Sequence, residues 1–136
     1  MSNLDKYKGI IPAFYACYDE QGNASPERVR ALTQYYVDKG VKGVYVNGCN
    51  NTRDSVELAK HSEEVGVDAI ASIPPIYFRL PEYSIAAYWN AISAAAPNTD
   101  FVIYNIPQLA GTALTMSLFA EMMKNPKVVA VKNSSM

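Results

Sequence analysis

The sequence predicts an α/β fold of about five parallel strands alternating with four helices. Two observations carry this. Short apolar runs recur along the chain, each followed by an amphipathic stretch with helix start and stop residues. The runs are apolar at nearly every position, as in strands covered on both faces under helices. Regular alternation then implies right-handed βαβ crossovers.

The first run is residues 9–15 (GIIPAFY). Ser25-Pro26-Glu27 next supplies a hydroxyl cap, a proline at the first helical position and an acid in the first turn. Val29, Leu32, Tyr36 and Val37 follow at helical spacing, and Gly40 ends that helix. Residues 43–48 (GVYVNG) form the second expected strand. Thr52 is the expected cap of the second helix, which carries Val56, Ala59 and Val65 and stops at Gly66. Residues 67–74 (VDAIASIP) are the third expected strand.

Pro81-Glu82 opens a helix with Ile85, Tyr88, Trp89 and Ile92. Residues 101–106 (FVIYNI) give the fourth strand. Thr115 caps a helix bearing Leu118, Phe119 and Met122, stopped near Asn125-Pro126. Residues 128–132 (VVAVK) are the fifth strand. No linker or low-complexity stretch divides the chain, so residues 1–136 are expected to form one domain.

Composition excludes several classes. The formal net charge is -1, with no basic stripe to neutralise phosphates, so no nucleic-acid partner is expected. Cys17, Cys49 and the single His61 lack metal-ligand spacing, and no metal site is expected. His61 lies between Lys60 and Ser62 in the expected helix, which places it at the surface. No run approaches the ~20 apolar residues of a membrane span. Two cysteines and a polar N-terminus without an apolar signal core point to a reducing, cytoplasmic setting.

In such α/β architectures chemistry gathers at the C-terminal ends of strands. Those ends are Asn47-Gly48, Pro74-Pro75, Tyr104-Asn105 and Lys132-Asn133-Ser134. Lys132 follows four apolar or small residues. An amine held away from water sheds its proton more readily and attacks ketones to form an imine. The same pattern also fits a lysine that extends along the strand end to water. Tyr104 follows three apolar residues, and its phenol suits proton transfer or simple core packing with a satisfied hydroxyl. Their position on consecutive parallel strands allows the two side chains to meet, because neighbouring strands lie about 4.8 Å apart. The aromatics of Tyr77-Phe78-Arg79 lie in a loop after the third strand, where lid, interface and packing roles all stay open.

Two stretches carry a resemblance. YNIP at Tyr104 to Pro107, followed by VVAVKNSS ending at Ser135, resembles the paired signature of the N-acetylneuraminate lyase and dihydrodipicolinate synthase family. The segments GIIPAFYACYDEQGN, KGVKGVYVNG and VELAKHSEEVGVDAIASIPPIYF are similar to it as well, so the resemblance runs from about Tyr7 to Met136. It implies a TIM (β/α)8 barrel and a pyruvate-dependent class I aldolase. Lys132 would form a Schiff base with a keto acid, and Tyr104 would move the proton to or from the aldehyde oxygen. The protonated imine withdraws electrons itself, so no cofactor is implied.

Within the family the chain is more similar to the sialic acid lyase branch. Synthases carry an arginine shortly after the YN-aliphatic-P motif, and Gln108-Leu109-Ala110-Gly111 contains none. Ser134, two residues past the lysine, fits the hydroxyl of the lyases. The alternatives are a synthase-like or other pyruvate aldolase and a non-catalytic fragment or association module. The implied partners are small molecules, pyruvate and a sugar acid, with a homo-oligomer in the intact family.

The chain also departs from the family pattern. The family places a Gly-Ser/Thr-Ser/Thr-Gly-Glu loop after its second strand to grip the pyruvate carboxylate. Asn47-Gly48 matches the start of that loop and is the expected carboxylate-binding remnant, but Cys49-Asn50-Asn51-Thr52 follows at once and resembles the loop after the third family strand. A helix and a strand are therefore expected to be missing between Gly48 and Cys49. The sequence stops four residues after Lys132, against roughly 250 residues for a complete barrel. The expectation is an incomplete (β/α) barrel with little or no lyase activity by itself.

Overall fold

The computed structural model describes residues 4–41, 43–44 and 51–135. The chain divides into two units, Met1–Val46 and Asn47–Met136.

In the first unit a short 3-10 turn, Leu4–Tyr7, precedes helix α1, Pro26–Asp38. The start of α1 is as the sequence predicts. The Ser25 side chain accepts from the Arg28 N–H, and Pro26 occupies the first turn, where no amide donor is needed. Gly40, at φ 69°, follows the helix in the left-handed conformation that glycine adopts without a Cβ clash. Before α1, Asp19 closes a turn by accepting from the Gln21 and Asn23 N–H groups. Phe14 and Tyr36 meet edge to face at 6.0 Å.

The first expected strand does not form as drawn. Residues 9–15 belong to no strand ladder, and only Ala13 carries a lone bridge. Ile10 and Tyr15 are largely exposed. A strand exists only where a neighbour takes up its N–H and C=O groups, and an apolar run by itself does not supply one. Of residues 43–48, Gly43 and Val44 are not in a strand, and the others lie outside the described residues.

The second unit holds the sheet. Its elements are α2 (Thr52–Glu64), β1 (Ala69–Ser72), α3 (Glu82–Ala95), β2 (Asp100–Asn105), the short α4 (Pro107–Ala110), α5 (Met116–Met122) and β3 (Val128–Asn133). Among the described residues the sheet has three strands in the order β1-β2-β3, all parallel. The α/β class and parallel pairing agree with the sequence reading; of the five expected strands the last three are found among the described residues, and most of the second lies outside them. The helix α4 had no sequence expectation: it is a single turn set between Ile106 and Gly111.

The cap of α2 also differs. Asn51 is the N-cap, its side chain accepting from the Asp54 N–H, and Thr52 is already helical. Asparagine caps at least as well as threonine, and the helix takes the earlier residue. Thr115 caps α5 as expected, accepting from Leu118 N–H.

The core forms because α3 presents Ile85, Tyr88, Trp89 and Ile92 at helical spacing. They meet Phe101, Ile103 and Val128 of the strands and Leu118 and Met122 of α5. Each fully buried large side chain stabilises the unit by about 1.5–3 kcal/mol. Polar ties fix the helices around this core. Glu63 of α2 accepts from the Asn98 N–H, the Asn98 amide and the Thr99 hydroxyl. Glu82 of α3 accepts from the Thr115 and Ser117 hydroxyls at the start of α5.

Candidate active site

The site lies at the C-terminal ends of β2 and β3. The two strands begin in register with Phe101 opposite Val128, but a bulge follows, and Val102 then pairs with Ala130. Val129 is the extra residue. An unshifted ladder would set Tyr104 opposite Val131. The bulge instead makes Tyr104 and Lys132 Cα partners, and Asn105 and Asn133 the next pair. Since successive side chains point to opposite faces, this single extra residue decides which side chain the tyrosine meets.

The Lys132 Nζ stands 3.4 Å from the centroid of the Tyr104 ring. Tyr104 is buried, while Lys132 and Ser134 are half-buried. Attraction between an ammonium and the ring face favours this placement. The phenol of Tyr104 is held below its ordinary value of 10.0. Hydrogen bonding with Lys132 is the largest influence. Burial opposes it, and the Ser134 hydroxyl and the charge of Lys132 reinforce it. A phenol so placed gives up its proton more readily than a free tyrosine.

A second layer of contacts backs the pair. Asn105 Nδ2 donates to Asn133 Oδ1 at 2.8 Å, and Asn105 Oδ1 accepts from the Leu114 N–H at 3.0 Å. The Ser134 N–H donates to the Asn105 carbonyl at 2.9 Å. Asn133 Oδ1 also accepts from the N–H and hydroxyl of Ser135. The motif containing Asn105 was visible in the sequence, but nothing local marked Asn105 and Asn133 as a pair. Their relation depends on the bulge.

Three of the five residues expected at the site, Lys132, Tyr104 and Ser134, come together at these strand ends. Asn47 and Gly48 lie outside the described residues. The Tyr77–Phe78 pair stacks edge to face at 4.8 Å and is exposed. Among the described residues no cluster of three or more histidine, cysteine or acidic side chains is arranged to hold a metal ion. No helix of the described residues is long and apolar enough to cross a membrane.

Residues 46–136 match the model of the dihydrodipicolinate synthetase family. The chain belongs to that family. The family match contains β1 to β3 and the whole Tyr104–Lys132–Ser134 grouping. The chain is 62% identical over 171 aligned positions to an N-acetylneuraminate lyase of Mediterraneibacter gnavus, an alignment taking in 100% of this chain and 54% of that protein. A structure of the Ruminococcus gnavus sialic acid aldolase, described as a catalytic lysine mutant, superposes with a TM-score of 0.95 at 61% identity. It covers 100% of this chain and 56% of that one. CdNal from Clostridium difficile, in complex with mannosamine, gives a TM-score of 0.85 at 25% identity, covering 94% of this chain and 56% of that one. The chain thus spans about half the length of these relatives. These relatives assign the three-stranded sheet to part of a TIM-barrel aldolase fold.

Proposed function

We propose that this chain carries the Schiff-base half of a pyruvate-dependent class I aldolase acting on N-acetylneuraminate. The observation that carries the reading is the amine of Lys132 set 3.4 Å over the ring of Tyr104 at paired strand ends. The 62% identity to an N-acetylneuraminate lyase supports the choice of substrate. A lysine is the catalytic group of the similar Ruminococcus gnavus sialic acid aldolase, and Lys132 is the lysine that the strand ends of this chain offer.

The Lys132 amine adds to the keto carbon of N-acetylneuraminate, its ammonium proton passes to the departing oxygen, and water leaves as the iminium forms. Tyr104 then takes the proton of the hydroxyl that becomes the aldehyde. The carbon–carbon bond breaks, and its electron pair moves into the iminium to give an enamine. N-acetylmannosamine departs, the enamine carbon is protonated, and hydrolysis releases pyruvate and the lysine. Ser134 contacts the substrate near the imine, and Asn47-Gly48 is what this chain keeps of the carboxylate-binding loop.

Activity of the chain alone is expected to be weak. The alignment with the Mediterraneibacter lyase uses 171 positions for 136 residues, a difference of 35. That difference is in keeping with a segment missing between Gly48 and Cys49, as the sequence pattern suggests, and such a loss would remove the loop that grips the carboxylate. Positioning is worth about 7–11 kcal/mol in reactions of this kind, so its loss leaves imine chemistry without efficient turnover. The test is incubation of the purified chain with pyruvate and borohydride, followed by peptide mass spectrometry. A reduced adduct on Lys132 is expected. Absence of any adduct in folded protein refutes the reading, and cleavage of N-acetylneuraminate at the rate of full-length relatives refutes the loss of positioning.

A further inference from the structure

Beyond the bulge at Val129 the end of β3 adopts one of two conceivable registers. In one, Lys132 faces Tyr104. In the other, slipped by one residue, Lys132 faces Asn105 and Tyr104 faces Val131. A slip of one residue reverses which face each side chain occupies. The structure adopts the first register, and contacts that fit only this register lie next to the site.

We propose that Asn105 is a positioning residue that locks this register and thereby holds the Lys132 amine over Tyr104. This rests on the reading of Lys132 as the imine-forming lysine, and it adds a residue that does not touch the substrate. Asn105 points to the face opposite Tyr104, by strand alternation. Its side chain makes two bonds from there, and its backbone makes a third. Its amide Nδ2 donates to Asn133, its cross-strand partner. Its backbone carbonyl, which continues the ladder whatever the side chain, accepts from the Ser134 N–H, two residues past the lysine. Its Oδ1 accepts from the Leu114 N–H, anchoring all of this to the segment leading into α5. Slipping β3 by one residue breaks the bonds to Asn133 and Ser134 together. Asn133 cannot compensate by turning its amide, because its Oδ1 also receives the Ser135 N–H and hydroxyl.

The experiment uses the full chain with two substitutions. Asn105→Asp keeps the acceptor for Leu114 but loses the donor to Asn133. Asn133→Ala removes the same bond from the other side. Two readouts are taken on protein whose circular dichroism matches the parent. One is the NMR shift of the Lys132 ε-methylene protons, which the Tyr104 ring current moves upfield and which are assigned by their loss in Lys132→Arg. The other is the limiting rate of borohydride trapping at saturating pyruvate.

In both variants the upfield displacement is expected to disappear. The limiting rate is expected to fall on the order of tenfold to a hundredfold, as misplacement of a reacting group by about 1 Å does, with the pyruvate half-saturation little changed. Unchanged ring-current shift and trapping rate in both folded variants overturn the proposal and leave the function standing. A parent chain that shows the shift but traps no pyruvate refutes the function, and the shift in the variants then decides the positioning role. If one variant does not fold, the other decides, since they remove the bond from opposite strands.

Discussion

Lys132 faces Tyr104 across β2 and β3 as its Cα partner, and the lysine amine lies over the phenol ring, 3.4 Å from its centroid. The ring and the hydroxyl of Tyr104 therefore have separable jobs. Tyr104→Phe keeps the ring under the amine and removes the proton carrier. Trapping of pyruvate on Lys132 is expected to persist in this variant. Carbon–carbon cleavage is expected to fall by about 10²–10⁴-fold, the usual contribution of a positioned acid or base. Parallel borohydride trapping and N-acetylmannosamine release assays check this, and equal loss of both would contradict it.

The titration of Tyr104 gives a second expectation. Its phenol ionises below the ordinary value through hydrogen bonding with Lys132, against burial, with help from Ser134 and the lysine charge. Ser134→Ala removes one of the two hydroxyl-directed contacts. The ionisation of Tyr104 is expected to move upward in this variant, toward 10.0. Ultraviolet difference titration against Tyr104→Phe isolates this phenol from the other nine tyrosines.

Acid should weaken the second unit through its carboxylate ties. Burial pushes Glu63 up, but hydrogen bonds from Asn98 and Thr99 and the charge of Lys127 hold it below 4.5. Hydrogen bonds from Thr115 and Ser117 hold Glu82 below the same value, against burial. A carboxyl depressed in the folded state stabilises it fully above the unfolded value, and this is lost as pH falls through the folded value. Stability is therefore expected to decline below about pH 4.5. Glu63→Gln with Glu82→Gln should lower the urea midpoint at neutral pH and flatten this acid decline. A double variant with the parent's acid profile would show that these ties do not matter.

Phe101 has no exposed surface and joins β2 to the core of α3 and α5. Phe101→Ala is expected to cost about 3–5 kcal/mol, a large share of what a domain of this size commands. Urea unfolding followed by Trp89 fluorescence measures it directly. A loss under about 1 kcal/mol would mean that the core collapses onto the gap.

Much of the architecture was legible in short stretches of sequence. Ser25-Pro26 and Thr115 start their helices as read, and Gly40 follows α1 where the sequence puts its stop. These signals are local, because a cap and its helix lie within a few residues of each other. The apolar runs of β1, β2 and β3 were also read correctly, because each finds a parallel neighbour in the sheet. Residues 9–15 carry an equally apolar run and form no ladder.

The sequence by itself determined the α/β class, the starts of α1, α3 and α5 and the presence of a tyrosine and a lysine at the ends of successive strands. Only the tertiary structure decided that those two side chains meet. One extra residue, Val129, shifts the pairing so that Lys132 and not Val131 lies opposite Tyr104, and Asn105 and Asn133 close the ladder beyond them. Register is a relation between distant segments, set by hydrogen bonds across strands. No window along a single strand contains it.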